Sequence, residues 1–175
     1  MAGQAVGHPG ADECLPYYFN YIDLVPAGDI LEILQRQIGE TAAYLAGFTP
    51  EQAQRREGPK EWNALEIVGH LADAERAFSY RALSIARAAP VMWPNIQFEE
   101  WAAVANFQSR PLSSVVAEYA AARAAFVALL RGLDAAAWER RAPVEWTLRS
   151  VRAVAYCMAG HELHHVADIR RQHPT

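Results

Sequence analysis

Cysteine is scarce in this chain: Cys14 and Cys157 are the only two, and their separation matches no metal-binding or redox spacing. A disulfide scaffold is thereby excluded, and two free thiols in a reducing compartment are expected. Long apolar runs are missing as well. Although 52% of residues are hydrophobic, Ala, Arg, Glu and His interrupt every stretch, so no membrane span is expected. Residues 1–25 hold no basic segment followed by a continuous apolar one, which argues against a secretory signal and for a cytoplasmic location. Positive charge is not in excess. A net charge of −4 disfavours nucleic-acid binding through phosphates. No segment alternates with period two, so a β-sheet is not expected.

What the chain does have is helical periodicity, in a length suited to one domain with its own core. Residues 1–26 mix Gly, Pro, Asp and aromatics without period and read as an N-terminal arm; residues 27–175 read as the domain. Asp29-x-x-Glu32 is a capping box, followed by Leu31, Leu34, Ile38, Leu45 and Phe48 at helical spacing, with Thr49-Pro50 as a stop. Asn63-x-x-Glu66 opens a second helix with Ile67, Leu71, Ala74, Phe78, Ala82 and Ile85 on one stripe. A long connection from Ala89 to Arg110 holds Trp93 and Trp101, with a short helix around residues 98–107. After Pro111, a third stripe runs Leu112, Val115, Val116, Tyr119, Arg123, Phe126, Val127 and Leu130, ended by Gly132. Thr147 reads as the cap of a fourth helix reaching about Gln172. The fold class is therefore all-α, a four-helix bundle.

Trp62 and Trp146 each stand just before the expected starts of helices 2 and 4, and a hydrophobic staple is preferred there over a substrate-stacking role. The arginines Arg76, Arg81, Arg149 and Arg152 are read as solvated surface. Trp93 and Trp101 are read as packing the connection over the bundle, ahead of lining a pocket.

The chemistry is concentrated in His161-Glu162-Leu163-His164-His165, an H-E-x-x-H segment whose first and last histidines share one helical face. A zinc-protease reading fails. Asp168 and Arg171 stand where one protease class needs Gly and His, and the sequence after His165 has no room for another's downstream ligand helix. On a helical wheel with His161 at 0°, His165 falls at about 40° and Val154, Met158, Val151 and Ile169 between about 20° and 80°. Both histidines thus lie in the core-facing stripe. His164, at about −60°, falls off it. Glu162, at about 100°, sits at its edge, either as a helper that moves protons or as a solvated surface group. A third histidine, His70, lies on the inward face of helix 2 between Ile67 and Ala74. Three imidazoles in one apolar volume can hardly all find protein acceptors, whereas one metal ion takes a nitrogen from each. A di-iron carboxylate site is set aside, because Glu162-x-x-His165 is the only such motif here.

Depth in the bundle tests the grouping. His70 lies about two turns from the start of its helix and His165 about two turns from the end of its own. They are level only if these helices run antiparallel; parallel helices would separate them by roughly 10–15 Å. The long connection between helices 2 and 3 permits this, giving the order up-down-down-up.

Trp62-Asn63-Ala64-Leu65-Glu66-Ile67-Val68-Gly69-His70-Leu71-Ala72-Asp73 resembles the helix 2 signature of the DinB-like (YfiT-like) superfamily, and Gly160-His161-Glu162-Leu163-His164-His165-Val166-Ala167-Asp168-Ile169 is similar to its C-terminal segment. The likeness spans roughly residues 27–172, with Asp168 where that family commonly has Gln. It implies that His70, His161 and His165 are metal ligands, that the metal is divalent (zinc ahead of nickel or iron), and that the protein is a homodimer. It also implies chemistry with a low-molecular-weight thiol such as bacillithiol or mycothiol as cosubstrate. The leading expectation is a metal-dependent thiol transferase acting on a small-molecule electrophile, since three protein nitrogens leave an open position on the metal. A hydrolase using bound water, with Glu162 assisting, is the second reading. A non-catalytic stress-response or binding module is the third.

Overall fold

Local signals start most of the helices. The Asp29 carboxylate accepts from Leu31 N and Glu32 N, and Asn63 and Glu66 form a reciprocal capping box. The computed structural model describes residues 6–89, 93, 95–143 and 147–173. In chain order the helices are α1 (Phe19–Ile22), α2 (Ile30–Leu45), α3 (Pro50–Gln54), α4 (Ala64–Ala86), α5 (Phe98–Val104), α6 (Leu112–Arg131), α7 (Ala135–Glu139) and α8 (Val151–Gln172). Among the described residues there is no strand, only an isolated bridge between Arg141 and Ser150.

The long helices α2, α4, α6 and α8 form the bundle, and pairs of contacts fix their directions. Gln172 near the end of α8 donates to Trp62 O before α4, while Arg81 late in α4 donates to Thr147 before α8. These two helices are antiparallel. Glu75 meets Arg123 and Asn63 meets Gln108, so α4 and α6 advance together. Gln37 bonds Ala159 O and Thr41 bonds Glu162, so α2 and α8 are parallel. The order is up-down-down-up, as the histidine depths require.

Several boundaries differ from the sequence reading. Thr147 does not cap the last helix. Ser150 does so, accepting from Ala153 N, and Thr147 instead meets Arg81 and Tyr18. Thr49 does more than stop α2, because with Gln52 it caps the short α3. Pro111 occupies the N-cap of α6. In α2 the buried face is Ile30, Ile33, Leu34, Gln37, Thr41 and Leu45, so the core stripe includes polar residues that an apolar count passes over. The alanines of α6 make it apolar enough, by length and composition alone, to cross a bilayer. It packs against α2 and α4 and buries Arg123. Trp146 lies outside the described residues.

The core has two parts. One gathers Phe78, Phe126, Leu148 and Met158 with Ile22 of the arm; the other gathers Leu65, Leu71, Phe107, Tyr119 and Ile169 around the first half of α4. Each large apolar side chain buried this way contributes about 1.5–3 kcal/mol. Gly69 belongs to the second part, where a Cβ would collide with the Phe107 ring.

Candidate metal centre

His70 reaches the bundle interior because the Asn63 cap sets the phase of α4 and points its Ile67–His70–Leu71 face inward. His161 and His165, one turn apart on the antiparallel α8, meet it at the same depth. His70 Nε2 lies 3.1 Å from His161 Nε2, and His165 Nε2 lies 3.1 Å from the same atom. Edge lengths of about 3.3 Å are expected for nitrogens bound tetrahedrally to one zinc ion. The three ligand atoms form one group that could hold an ion.

The donor set fits a cation on chemical grounds as well. Burial pushes the His70 pKa down to about 3, with the neighbouring His165 adding to the effect. Burial, then His165 and His70, push His161 well below its ordinary value. Both rings are therefore neutral at pH 7, the form that ligates. Three Nε2 lone pairs aimed at one point cannot satisfy one another, since a proton on one nitrogen serves a single neighbour. Asp168 lies behind the site, with Oδ2 3.5 Å from His165 Nδ1 and 3.6 Å from His164 Nε2. Arg171 contacts the other oxygen at 2.9 Å. A carboxylate behind a ligating histidine fixes its tautomer and raises its basicity. His164 is exposed and points away from the triad's centre, as the wheel indicated.

Glu162 is not solvated, contrary to one of the two readings of its edge position. It is 1% exposed, accepts from the Thr41 hydroxyl at 2.5 Å and contacts Arg123 at 2.9 Å. Arg123 is wholly buried and also contacts Glu75 at 2.8 Å, Gln37 and the Met158 carbonyl. Of this network only Met158 lines the cavity in front of the histidines; Glu162, Arg123, Glu75, Gln37 and Thr41 do not. Glu162 thus has a structural partner set that leaves it no place facing a substrate.

That cavity has a volume of about 320 Å³. Its lining joins the triad to Trp62, Phe78 and Phe98 and to Tyr17, Tyr18 and Tyr21 of the arm. Trp62 stands 4.8 Å from the His70 ring, Phe98 5.0 Å from the same ring, and Tyr21 5.3 Å from His161. Trp62 therefore borders the cavity as well as packing at the start of α4. From the long connection Asn95, Ile96, Phe98 and Glu99 border the cavity, and neither tryptophan does. Trp93 is buried in the core, and Trp101 is 43% exposed and packs on Phe98. Arg81 is also not the surface residue expected: it is 5% exposed, sits over Phe78 and borders the cavity. Arg152 and Arg76 pair with Glu13 and Glu118. Cys157 lines the cavity, but burial pushes its thiol far up, and burial likewise lifts Cys14 to about 11. Neither is a ready nucleophile.

Sequence reasoning missed the Arg123 network and the arm's tyrosines. The first left a signal, because Arg123 stood inside an apolar stripe. The tyrosines left only an aromatic cluster, Tyr17-Tyr18-Phe19, that reads as packed on the domain, with no periodicity to place it beside the histidines.

A sequence profile of the DinB superfamily matches residues 33–169. Among solved structures the chain is similar to YfiT from Bacillus subtilis, described as a probable metal-dependent hydrolase with an unusual four-helix bundle topology. That likeness has a TM-score of 0.67 at 17% identity and covers 81% of this chain and 84% of the other. No curated protein sequence matches. With most of its length inside the family profile, and with the helix order and histidine cluster described above, this chain belongs to the DinB superfamily.

Proposed function

We propose that the protein is a metal-dependent enzyme acting on a small molecule in the cavity before His70, His161 and His165. The observation that carries this is the convergence of three imidazole nitrogens at the wall of a cavity lined largely by aromatic rings. A divalent ion held there, zinc ahead of nickel or iron, would supply Lewis-acid chemistry, polarising a substrate group and lowering the pKa of a water or thiol on its open side. The chain's own residues orient and exclude. His70 and the α8 pair set the ligand geometry, Asp168 steadies His165, and the surrounding rings keep bulk water from the site.

Of the two chemistries, the site favours attack by an external low-molecular-weight thiol on an electrophile. Glu162 is engaged with Arg123 and Thr41, so it supplies no base for activating water, and a thiol needs less help to lose its proton. Both cysteines are buried and burial pushes their thiols up, which supports a thiol supplied from outside the chain. Hydrolysis is the second reading, supported by the description of the structurally similar YfiT.

Elemental analysis of the wild type beside His70→Ala tests the first step. About one equivalent of metal in the wild type and little in the variant is expected; equal loads in both would remove the triad from consideration. Assays of electrophile turnover with and without bacillithiol then separate the chemistries. Turnover with no thiol consumed favours hydrolysis.

A further inference from the structure

Three rings stand against the histidine triad, each from a different segment: Trp62 before α4, Phe98 in the long connection and Tyr21 in the arm. The first two lie within residues 33–169, and Tyr21 lies outside that span. The arm is seated with care. Glu13 is 1% exposed, accepts from Gly10 N and the Ser150 hydroxyl, and pairs with Arg152 at 2.5 Å. Arg149 N donates to the Glu13 carbonyl at 2.7 Å, and the Tyr156 hydroxyl holds Val6 O. Further along, the Tyr21 backbone passes so close to α8 that a Cβ at Gly160, directly before His161, would collide with its carbonyl. The Tyr21 hydroxyl is 2.9 Å from that of Tyr17, which fixes the ring's orientation.

We propose that the arm is a wall of the substrate site, and that the Tyr21 ring selects ligands carrying a flat aromatic group next to the metal-binding end. The proposal rests on the metal-site reading above. Ring walls favour aromatic ligands because edge-to-face and offset contacts add to the gain from apolar burial. The cavity, about 320 Å³, is of a size for such small molecules.

Benzohydroxamate and acetohydroxamate share one chelating head and differ in the ring. Titrating each into cobalt(II)-loaded protein and following the visible cobalt bands gives two affinities whose ratio reads the aromatic contribution. The ratio favours benzohydroxamate in the wild type and falls roughly 10-fold in Tyr21→Ala. An unchanged ratio in a variant that keeps its cobalt spectrum overturns the proposal and leaves the metal site standing. Tyr21→Leu, which retains apolar bulk without the ring, gives the same reading if the alanine variant loses its helical circular dichroism. A wild-type protein without cobalt bands, or with bands neither hydroxamate changes, overturns the metal reading and this one with it.

Discussion

Replacing Arg123 with Met is the most direct probe of the bundle's interior. The guanidinium is 0% exposed, and it contacts Glu75 at 2.8 Å and Glu162 at 2.9 Å while donating to Gln37 and the Met158 carbonyl. Burial opposes its charge, but the Glu75 carboxylate above all keeps it protonated. Methionine fills much of the volume and leaves two buried carboxylates without their cation. Removing one partner of a buried pair costs about 3–5 kcal/mol, even though the intact pair contributes little net stability. For a chain of this size that lowers Tm by about 6–20 °C. The pH dependence is a second signature. Burial raises the Glu75 pKa against the pull of Arg123. A carboxyl raised in the folded state contributes stability below its unfolded pKa, which is lost as pH rises through the folded value. Without Arg123 that value climbs further, so the variant's deficit is larger at pH 8 than at pH 5. Thermal melts by circular dichroism at both pH values check this. A loss under about 1 kcal/mol with no pH trend would refute the reasoning, showing that water reaches these carboxylates.

Asp168→Asn should weaken metal binding about 10–100-fold in a chelator competition, because His165 loses its carboxylate support. Arg171→Gln serves as the control and leaves the affinity near wild type. Gly160→Ala should push α1 off α8 and cost about 1–3 kcal/mol, with faster proteolytic cutting between residues 6 and 25. Glu13→Gln should also expose the arm to protease. Burial raises the Glu13 pKa, but Arg152, Gly10 N–H and Ser150 outweigh it and hold the carboxylate below its usual range. The clamp is therefore intact above the ordinary carboxyl pKa and loosens in acid below it. Protease sensitivity in the wild type should accordingly rise only in that acid range.

Much of the fold was legible because its signals are local. Caps at Asp29 and Asn63, the Gly132 stop and the stripes of α4 and α6 each depend on residues within a few turns. The histidines were legible for the same reason, since periodicity puts His70, His161 and His165 on inward faces. Matching their depths required α4 and α8 to be antiparallel, which the structure has. The one cap that differs, Ser150 in place of Thr147, lies where two hydroxyls compete, and Ser150 alone accepts from Ala153 N.

Sequence alone thus determined the four long helices, the inward faces of α4 and α6 and the pairing of His70 with the His161–His165 turn. The tertiary structure decided what the polar groups around them do. Glu162 stood at the edge of a stripe, and its role followed from Thr41 and Arg123, which lie on two other helices. Arg81 carries only the sequence signal of a solvated residue, and its burial follows from Thr147, Phe78 and the arm. Tyr21 carries no periodic signal, and reaches His161 only because Gly160 admits its backbone. Periodicity records which face of a helix is buried. Which side chains meet there depends on rotations and close approaches between segments far apart in the chain, and those are set by packing.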